Sequence, residues 1–218
     1  VRFRDGFRMD RIYSQMGDAF AKHIFGIKGS YAVDPQKGAV VMTLTTQGDA
    51  PIHYTLDGSE PTAASPRYTG PVEIGKSARF RATALREGGE KASYSREFAF
   101  SKSTGRPAVL NTKPNDSYTF EGASLLVDGY HSRPVFTSGA WLGYLDEPLD
   151  VTIDMGGEQS YRSVDLETLA EKGDWIFPPS SVTVWVSENG TDFTEVASVT
   201  VPEAKAGDAD GIGRYRRQ

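Results

Sequence analysis

The chain has 218 residues, a net charge of -5 and no cysteine. This length suits one large domain or two small ones, and the lack of cysteine excludes disulfides, thiolate metal sites and a cysteine nucleophile. The negative charge gives no electrostatic reason to expect nucleic acid, and no run approaches the roughly 18 apolar residues that cross a bilayer. Its 23 glycines and 12 prolines indicate many turns, which favours an all-β fold.

The N-terminal segment, residues 1–29, carries the strongest helix pattern. Apolar residues recur every four positions through residues 10–25, between Asp10 as a suitable N-cap and Gly26 as a suitable stop. We expect one helix here, which either packs on the next domain or is the last helix of a missing upstream domain. Because the sequence starts at Val1 without methionine, we expect it to be a fragment of a larger protein.

Residues 30–101 show short alternating segments separated by Gly, Asp and Pro turns. In the fourth segment, alternate residues from Phe80 to Ala84 are apolar, whereas their neighbours are polar. About 70 residues in strands of this length predict a small Ig-like β-sandwich. The predicted strands are 39–46, 51–57, 71–74, 78–87 and 92–100.

The segment IHYTLDGSEPT (52–62) places several reactive residue types close together. Asp57 and Glu60 flank one tight turn, in which Gly58 is suited to a positive φ and Pro61 ends the strand pairing. A pair of catalytic carboxylates must instead flank a substrate in a pocket. We therefore interpret this segment as a structural turn.

A polar connector at 102–106 is predicted to link a second β region, 107–218. Asn189-Gly190 is typical of a hairpin tip, and Trp185 falls on the strand face opposite its neighbouring valines. The final residues, GRYRRQ, resemble the start of a strand whose continuation is missing, and 207–213 is predicted to be a surface loop. The predicted strands are 149–155, 163–169, 180–187 and 192–201.

Two families are similar to these regions. IHYTLDGSEPTAASPRYTGPVEI resembles the C-terminal domain of chitobiases and β-hexosaminidases, over about residues 31–100. LLVDG, WLGYLDEPLDVTIDMGG and SSVTVWVSENGTDF resemble a discoidin-like domain (coagulation factor 5/8 C-type), whose fold carbohydrate-binding modules of family 32 share. GDWIFPP resembles the version attached to bacterial β-N-acetylhexosaminidases of glycoside hydrolase family 20. The resemblance implies a discoidin-like jelly roll over 107–218, whose closing strands lie beyond Gln218.

Loop aromatics in the second region are the candidate carbohydrate-binding residues. Sugars present flat apolar faces ringed by hydroxyls, so a site needs an exposed aromatic beside hydrogen-bonding groups. We expect Trp141 to lie mainly in the core, whereas the others are open to either interpretation. The candidates are Tyr130, His131, Arg133, Trp141, Tyr144 and Trp175.

The VDG turn resembles the loop where many discoidin-like domains hold a structural calcium ion. This resemblance implies Asp128 as a metal ligand, although no cofactor is required by the sequence. Calcium binds six to eight oxygens, often carbonyls together with carboxylates. The usual acidic ligand near the C-terminus would lie beyond Gln218.

We predict no catalytic residues in this chain. There are three histidines without paired spacing, and HExxH and GxSxG do not occur. Family 20 enzymes resembling this chain use an Asp–Glu pair in a barrel, for which no matching segment is present. The resemblance implies a partner in an upstream catalytic domain, and location outside the cell or in the periplasm.

Three functions remain open at this point. The first is a non-catalytic accessory region of a secreted β-N-acetylhexosaminidase-like hydrolase, which binds glycans with a terminal hexose or N-acetylhexosamine. The second is a structural region that braces the catalytic barrel. The third, an adhesion module, is disfavoured because the sequence shows neither hydrophobic spikes nor a basic patch for membranes.

Overall fold

The structure is a computed structural model that describes residues 26–46, 50–86, 89, 91–205 and 208–217. The helix predicted in 10–25 lies outside these residues. The described chain forms two compact units. Unit 1 contains residues 26–32 and 40–98, and unit 2 contains residues 33–39 and 99–217.

The described residues form an all-β fold, as the sequence predicts. The strands are β1 (Ile27–Asp34), β2 (Ala39–Thr46), β3 (Ile52–Thr55), β4 (Val72–Ile74), β5 (Ala78–Leu85), β6 (Lys91–Phe98), β7 (Ala108–Leu110), β8 (Val151–Ile153), β9 (Val164–Ala170), β10 (Ser181–Val186), β11 (Thr194–Thr200) and β12 (Gly211–Arg217). Short 3₁₀ turns occupy Asp116–Tyr118, Gly122–Leu126, Phe136–Ser138 and Lys172–Asp174. No helix among the described residues is long and apolar enough to span a membrane.

Unit 1 is a β-sandwich of two three-stranded sheets, ordered β1-β2-β4 and β3-β5-β6. The rings of Tyr31 on β1 and Phe98 on β6 meet edge to face, with centroids 5.3 Å apart, so the two sheets contact through their inner faces. Alternation decides which residues turn inward: in β5, Phe80, Ala82 and Ala84 are buried as the pattern predicts. Burying one large apolar side chain such as Phe80 contributes about 1.5–3 kcal/mol.

Unit 2 contains three two-stranded sheets, β7-β8, β9-β12 and β10-β11. Trp185 lies on the outer face of β10 and is 54% exposed, which confirms its predicted face. The sequence predicts only the start of a strand at GRYRRQ, whereas the structure has a full strand there: β12 pairs along its whole length with β9, from Gly211↔Ala170 to Arg217↔Val164. The predicted surface loop 207–213 therefore enters this strand at Gly211.

The connector predicted at 102–106 forms a compact turn within unit 2. Thr104 is buried, and its Oγ1 accepts a hydrogen bond from Ser101 N at 2.9 Å. Gly105 N donates to Val127 O at 2.8 Å. An added Cβ on Gly105 would collide with the backbone of Gly38, so this turn requires glycine.

Candidate functional site

In the turn after β3, hydrogen bonds and ion pairs occupy the two carboxylates, Asp57 and Glu60. Asp57 Oδ1 accepts hydrogen bonds from Ser59 N at 2.9 Å and Ser59 Oγ at 2.6 Å. Gly58 has φ +85°, a backbone conformation in which a residue with a side chain would be strained. Glu60 pairs with Lys91 and lies 3.2 Å from Arg81.

The pKa directions at this turn argue against acid catalysis. The hydroxyl and backbone hydrogen bonds from Ser59 lower the pKa of Asp57, and the hydrogen bond and charge of Lys91 lower the pKa of Glu60. A general acid needs a carboxyl whose pKa is raised towards neutrality. Both groups are therefore suited to remain ionised, in agreement with their interpretation as turn residues.

The two histidines that the structure describes lie in different units. His53 Nδ1 lies 2.8 Å from Ser65 O, within unit 1, whereas His131 belongs to unit 2. His23 lies outside the described residues. Among the residues that the structure describes, no group of three or more His, Cys, Asp or Glu side chains is arranged to hold a metal ion.

Trp175 is the most exposed of the candidate binding residues. Its side chain is 84% exposed, and Phe177 beside it is 54% exposed. The two rings meet edge to face, with centroids 6.4 Å apart. Together they form an apolar surface that stands in solvent rather than in the core.

The Trp175 loop (residues 171–177) fixes this side chain through its backbone. Glu171 N donates to Ile176 O at 2.9 Å, and Ile176 N donates to Glu171 O at 3.1 Å, which closes the loop. Trp175 adopts φ 60° and ψ 29°, the left-handed conformation. For a residue with a side chain this costs roughly 1 kcal/mol, and such strain is concentrated at functional sites.

An ion pair and a hydrogen bond hold the Trp175 loop against the segment that leads into β12. Lys172 Nζ donates to Asp210 Oδ1 at 2.8 Å and to Asp208 O at 2.7 Å. The hydrogen bonds from Lys172 lower the pKa of Asp210. Desolvation, followed by the charge of Asp174, raises the pKa of Glu171. Lys172 thus anchors the loop, and Glu171 and Asp174 are its acidic residues.

His131 lies at a second polar cluster on the β9-β12 sheet. Glu167 Oε1 is 2.9 Å from His131 Nδ1 and 2.7 Å from Arg214 Nε, without alignment for a hydrogen bond from either. Glu167 and Arg214 are cross-strand partners. At about 3.3 Å per residue, Glu167 lies roughly 13 Å along β9 from Glu171, where the Trp175 loop begins.

The other aromatic candidates take part in loop packing. Trp141 is half-buried and its Nε1 donates to Arg133 O at 3.0 Å. Tyr144 is half-buried, its hydroxyl donates to Thr112 O at 3.4 Å, and desolvation raises its pKa. Tyr130 is also half-buried, whereas the side chains of His131 and Arg133 are exposed. Trp175 is thus the exposed candidate aromatic, whereas Tyr130, Trp141 and Tyr144 are half-buried.

Asp128 is 4% exposed and lies in a tight turn. Its Oδ1 accepts from Tyr130 N at 2.8 Å, while the neighbouring carbonyls of Val127 and Gly129 accept from Gly105 N and Ala99 N. This turn offers one carboxylate, and its oxygens already serve the fold, so it supplies few of the six to eight oxygens that calcium binds. Calcium at Asp128 stays a prediction.

Several contributors to these sites are not evident from the sequence. Glu167 and Arg214 meet because of the β9-β12 register, which the sequence does not show. Lys172 and Asp210 meet for the same reason, 38 residues apart. DLETL carries acidic residues two positions apart, and GRYRR carries basic residues at the same interval. Such complementary spacing is the signal that predicts cross-strand ion pairs.

Two comparisons with known proteins bear on these regions. No curated protein matches the chain. The discoidin-like domain predicted for residues 107–201 stays a prediction. The family model of the chitobiase/beta-hexosaminidase C-terminal domain matches residues 31–95, which confirms the resemblance predicted for that part of the chain.

Proposed function

We propose that this chain is a non-catalytic accessory region of a secreted, hexosaminidase-type glycoside hydrolase, and that unit 2 binds glycan. The family match over residues 31–95 supports the accessory role, because such domains occur in chitobiases and β-hexosaminidases. The observation that carries glycan binding is the exposure of Trp175 on a loop closed by backbone hydrogen bonds. Bond cleavage belongs to a separate catalytic domain, outside the cell or in the periplasm.

Trp175 and Phe177 supply the apolar platform that a pyranose ring needs. The C–H face of a sugar packs on an aromatic ring, and nearby polar groups accept or donate to its hydroxyls. Asp174, in the same loop, is exposed and offers such acceptors. His131 and Arg133, both exposed, are the candidates that extend the surface towards a second sugar residue.

A single exposed platform of this kind binds weakly, with a Kd of roughly micromolar to millimolar. Weak binding is still useful when the binding module is tethered to an enzyme. A tether holds the catalytic domain at a high effective concentration near its polymeric substrate. We infer that glycan binding by unit 2 raises hydrolysis of insoluble substrate more than that of a small soluble one.

The runner-up function is a brace for the catalytic domain. On the outer face of the β3-β5-β6 sheet, Arg79 lies 3.3 Å from Glu97, and Glu60 pairs with Lys91. This flat polar face suits a permanent but hydrated contact with another domain. It favours bracing by unit 1 and leaves glycan binding by unit 2 unaffected.

The exposure of Trp175 and Phe177 also removes one argument against adhesion to lipid. From the sequence we expect no hydrophobic spikes, and that expectation is wrong for these two residues. Their surroundings are acidic, since Glu171, Asp174 and Asp210 lie in or against the loop. Anionic lipid would be repelled by these charges, so we favour glycan.

Titration with N-acetylglucosamine and with galactose, followed by tryptophan fluorescence, tests the proposal. We expect a saturable change that Trp175→Ala weakens by roughly tenfold or more in affinity. Trp185→Ala is the matched control, because it removes another exposed tryptophan from unit 2 and should leave the affinity unchanged. No saturable change, or equal losses in both variants, contradicts glycan binding at Trp175.

Two further assays separate the alternatives. Incubation with chromogenic N-acetylhexosaminides should give no turnover; turnover that Asp57→Asn or Glu60→Gln abolishes would overturn the non-catalytic assignment. Co-sedimentation with phosphatidylcholine vesicles should leave the chain in the supernatant. Sedimentation that Trp175→Ala abolishes would favour adhesion to lipid over glycan.

A further inference from the structure

Unit 1 contains a cavity that the proposed function does not use. It has a volume of about 360 Å³ and lies between the end of β3 and the segment leading into β4. Its lining residues are Tyr54, Leu56, Arg67, Thr69, Gly70, Pro71, Val72 and Glu73. Ligand pockets in proteins span about 300–1,000 Å³, so this cavity suits one small ring rather than an extended chain.

The lining combines apolar and polar side chains. Tyr54, which stacks on the buried Phe80, and Leu56, which is 40% exposed, supply apolar surface. Arg67 and Glu73 contribute charges of opposite sign to the lining, and Thr69 contributes a hydroxyl. The charges cancel, so the cavity has no net attraction for an ion of either sign.

The cavity is formed before any ligand arrives. Phe80 stacks on the Tyr54 ring with centroids 5.7 Å apart and planes 14° from parallel, which holds the ring in one orientation. Tyr54 N donates to Pro66 O at 3.0 Å, and Tyr68 N donates to Ile52 O at 2.8 Å, so the 66–68 segment is fixed to β3. A preformed pocket avoids the entropy cost of ordering its walls on binding.

We propose that this cavity is a second carbohydrate subsite, which takes a single neutral sugar ring, a hexose or an N-acetylhexosamine. The ring lies with its C–H face against Tyr54 and Leu56, and its hydroxyls exchange hydrogen bonds with Arg67, Glu73 and Thr69. Guanidinium groups only donate and carboxylates only accept, so this pair matches hydroxyls, which do both. The subsite is independent of Trp175.

A neutral sugar fits better than an apolar or a charged occupant. An apolar side chain from a partner would bury the charges of Arg67 and Glu73, which costs free energy. For a phosphate or carboxylate, attraction to Arg67 is offset by repulsion from Glu73, and for an ammonium ion, attraction to Glu73 is offset by repulsion from Arg67. With about 15 non-hydrogen atoms, N-acetylglucosamine in so open a site should bind at roughly millimolar Kd.

Amide chemical shifts of the full ¹⁵N-labelled chain locate the binding. We expect N-acetylglucosamine to shift the amides of Thr69, Gly70 and Glu73 saturably, whereas equal concentrations of glycerol should not. Unit 1 has no tryptophan among its residues, because the three in the chain are Trp141, Trp175 and Trp185. Tryptophan fluorescence therefore reports unit 2, and the two subsites are measured separately.

Two glycines supply a matched pair of variants. Gly70 lines the cavity and Gly75 lies outside it, yet an added Cβ meets no atom within 4 Å at either position, and neither has a positive φ. Gly70→Phe should occupy the cavity and weaken the shift at Thr69 by roughly fivefold or more in Kd. Gly75→Phe adds the same side chain and should leave the Kd unchanged.

The outcomes distinguish this subsite from the one at Trp175. In Trp175→Ala the saturable shifts at Thr69 and Gly70 should persist at the wild-type Kd. Their loss in that variant, their reproduction by glycerol, or a wild-type Kd in a folded Gly70→Phe would overturn the subsite in unit 1. Loss of the fluorescence response alone would count against Trp175 and leave the cavity standing.

Discussion

Unit 1 and unit 2 are both built from β-strands, but they exclude water by different means. In unit 1 the buried residues are apolar and face each other from two sheets, with Phe80, Phe98 and Met42 fully enclosed. In unit 2 the buried hydrophobic residues that the structure describes are Ala39, Val127 and Leu169, and Thr104 and Asp128 are buried beside them. Hydrogen-bonded turns thus replace much of the apolar core in unit 2.

This difference indicates which parts of each unit can present side chains for binding. A sandwich with long alternating strands fixes most side chains by packing, so the binding surface proposed for unit 1 is limited to one cavity. Unit 2 has short sheets joined by long loops, and loops place residues such as Trp175 in solvent. The stability of unit 2 consequently depends on a few turns outside the binding surface proposed at Trp175.

The largest effect should come from the core of unit 1. Phe80→Ala should lower the free energy of unfolding of unit 1 by about 3–5 kcal/mol, because Phe80 is fully buried and its removal leaves a cavity. Urea unfolding followed by far-UV circular dichroism measures this change. Since all tryptophans lie in unit 2, the fluorescence transition should stay in place; an equal shift in both signals would contradict the comparison.

The matched change in unit 2 sharpens the comparison. Leu169→Ala should cost about 2 kcal/mol, at the low end for such a change, since few buried residues surround it. Tryptophan fluorescence during urea unfolding measures it. A loss as large as that of Phe80→Ala would show that unit 2 has an apolar core comparable to that of unit 1.

The alternating strands were the predictable part of this fold. The pattern of 39–46 predicts β2 with its full bounds, and the inward face of β5 follows from Phe80 and its apolar neighbours. Three strands are not predicted with their bounds: β1 contains Lys28 and Gly29, β7 has three residues, and β12 begins at Gly211, two residues before the strand start predicted at GRYRRQ. These strands form because they pair with partners distant in sequence. Local propensity does not show such pairing.

The candidate site was predictable in residue type but not in geometry. The sequence names Trp175 as one of several loop aromatics open to either a core or a binding role, and the structure exposes it. Nothing in EKGDWIFPP indicates that Trp175 adopts a left-handed conformation, since asparagine and glycine are the usual residues there. Closure of the loop by Glu171 and Ile176, and its anchoring by Lys172, arise only from the folded backbone.

Glycine substitutions test whether turns hold unit 2 together. Gly129 has φ +69°, and an added Cβ would lie 2.9 Å from Thr104 Cγ2 and 3.2 Å from Ala99 O. Gly129→Ala should therefore cost roughly 2–3 kcal/mol. Gly190 has φ +76° with no atom near an added Cβ, so Gly190→Ala should cost about 1 kcal/mol of strain alone. Equal losses in fluorescence-monitored unfolding would contradict the role of the 127–129 turn.

A change at Trp175 should separate binding from stability. Trp175→Gly removes an exposed side chain that packs little, and it relieves the left-handed strain. We expect unit 2 to gain up to about 1 kcal/mol in unfolding free energy while the response to N-acetylglucosamine is lost. Urea unfolding by circular dichroism and the sugar titration measure the two effects, and a loss of stability would mean that Trp175 serves packing.

The smallest effect contrasts one carboxylate in each unit. The hydrogen bond and charge of Lys91 lower the pKa of Glu60 below its ordinary value of 4.5, so its contribution to stability is present above 4.5 and is lost as the pH falls through the folded value. Desolvation and then the charge of Asp174 raise the pKa of Glu171, so its contribution is complete below 4.5 and is lost as the pH rises through the folded value.

The two substitutions should therefore act in opposite directions at pH 7. Glu60→Gln should lower the melting temperature slightly, and Glu171→Gln should raise it slightly, because both groups lie at the surface where water screens their charges. The Glu171→Gln difference should vanish below pH 4.5, and the Glu60→Gln difference below the folded pKa of Glu60, since each wild-type carboxyl is then neutral in both the folded and the unfolded state, as glutamine is. Thermal melts from pH 7 to pH 3 at low salt measure this; shifts of the same sign at pH 7 would contradict the opposite electrostatic settings of the turn at Glu60 and the Trp175 loop.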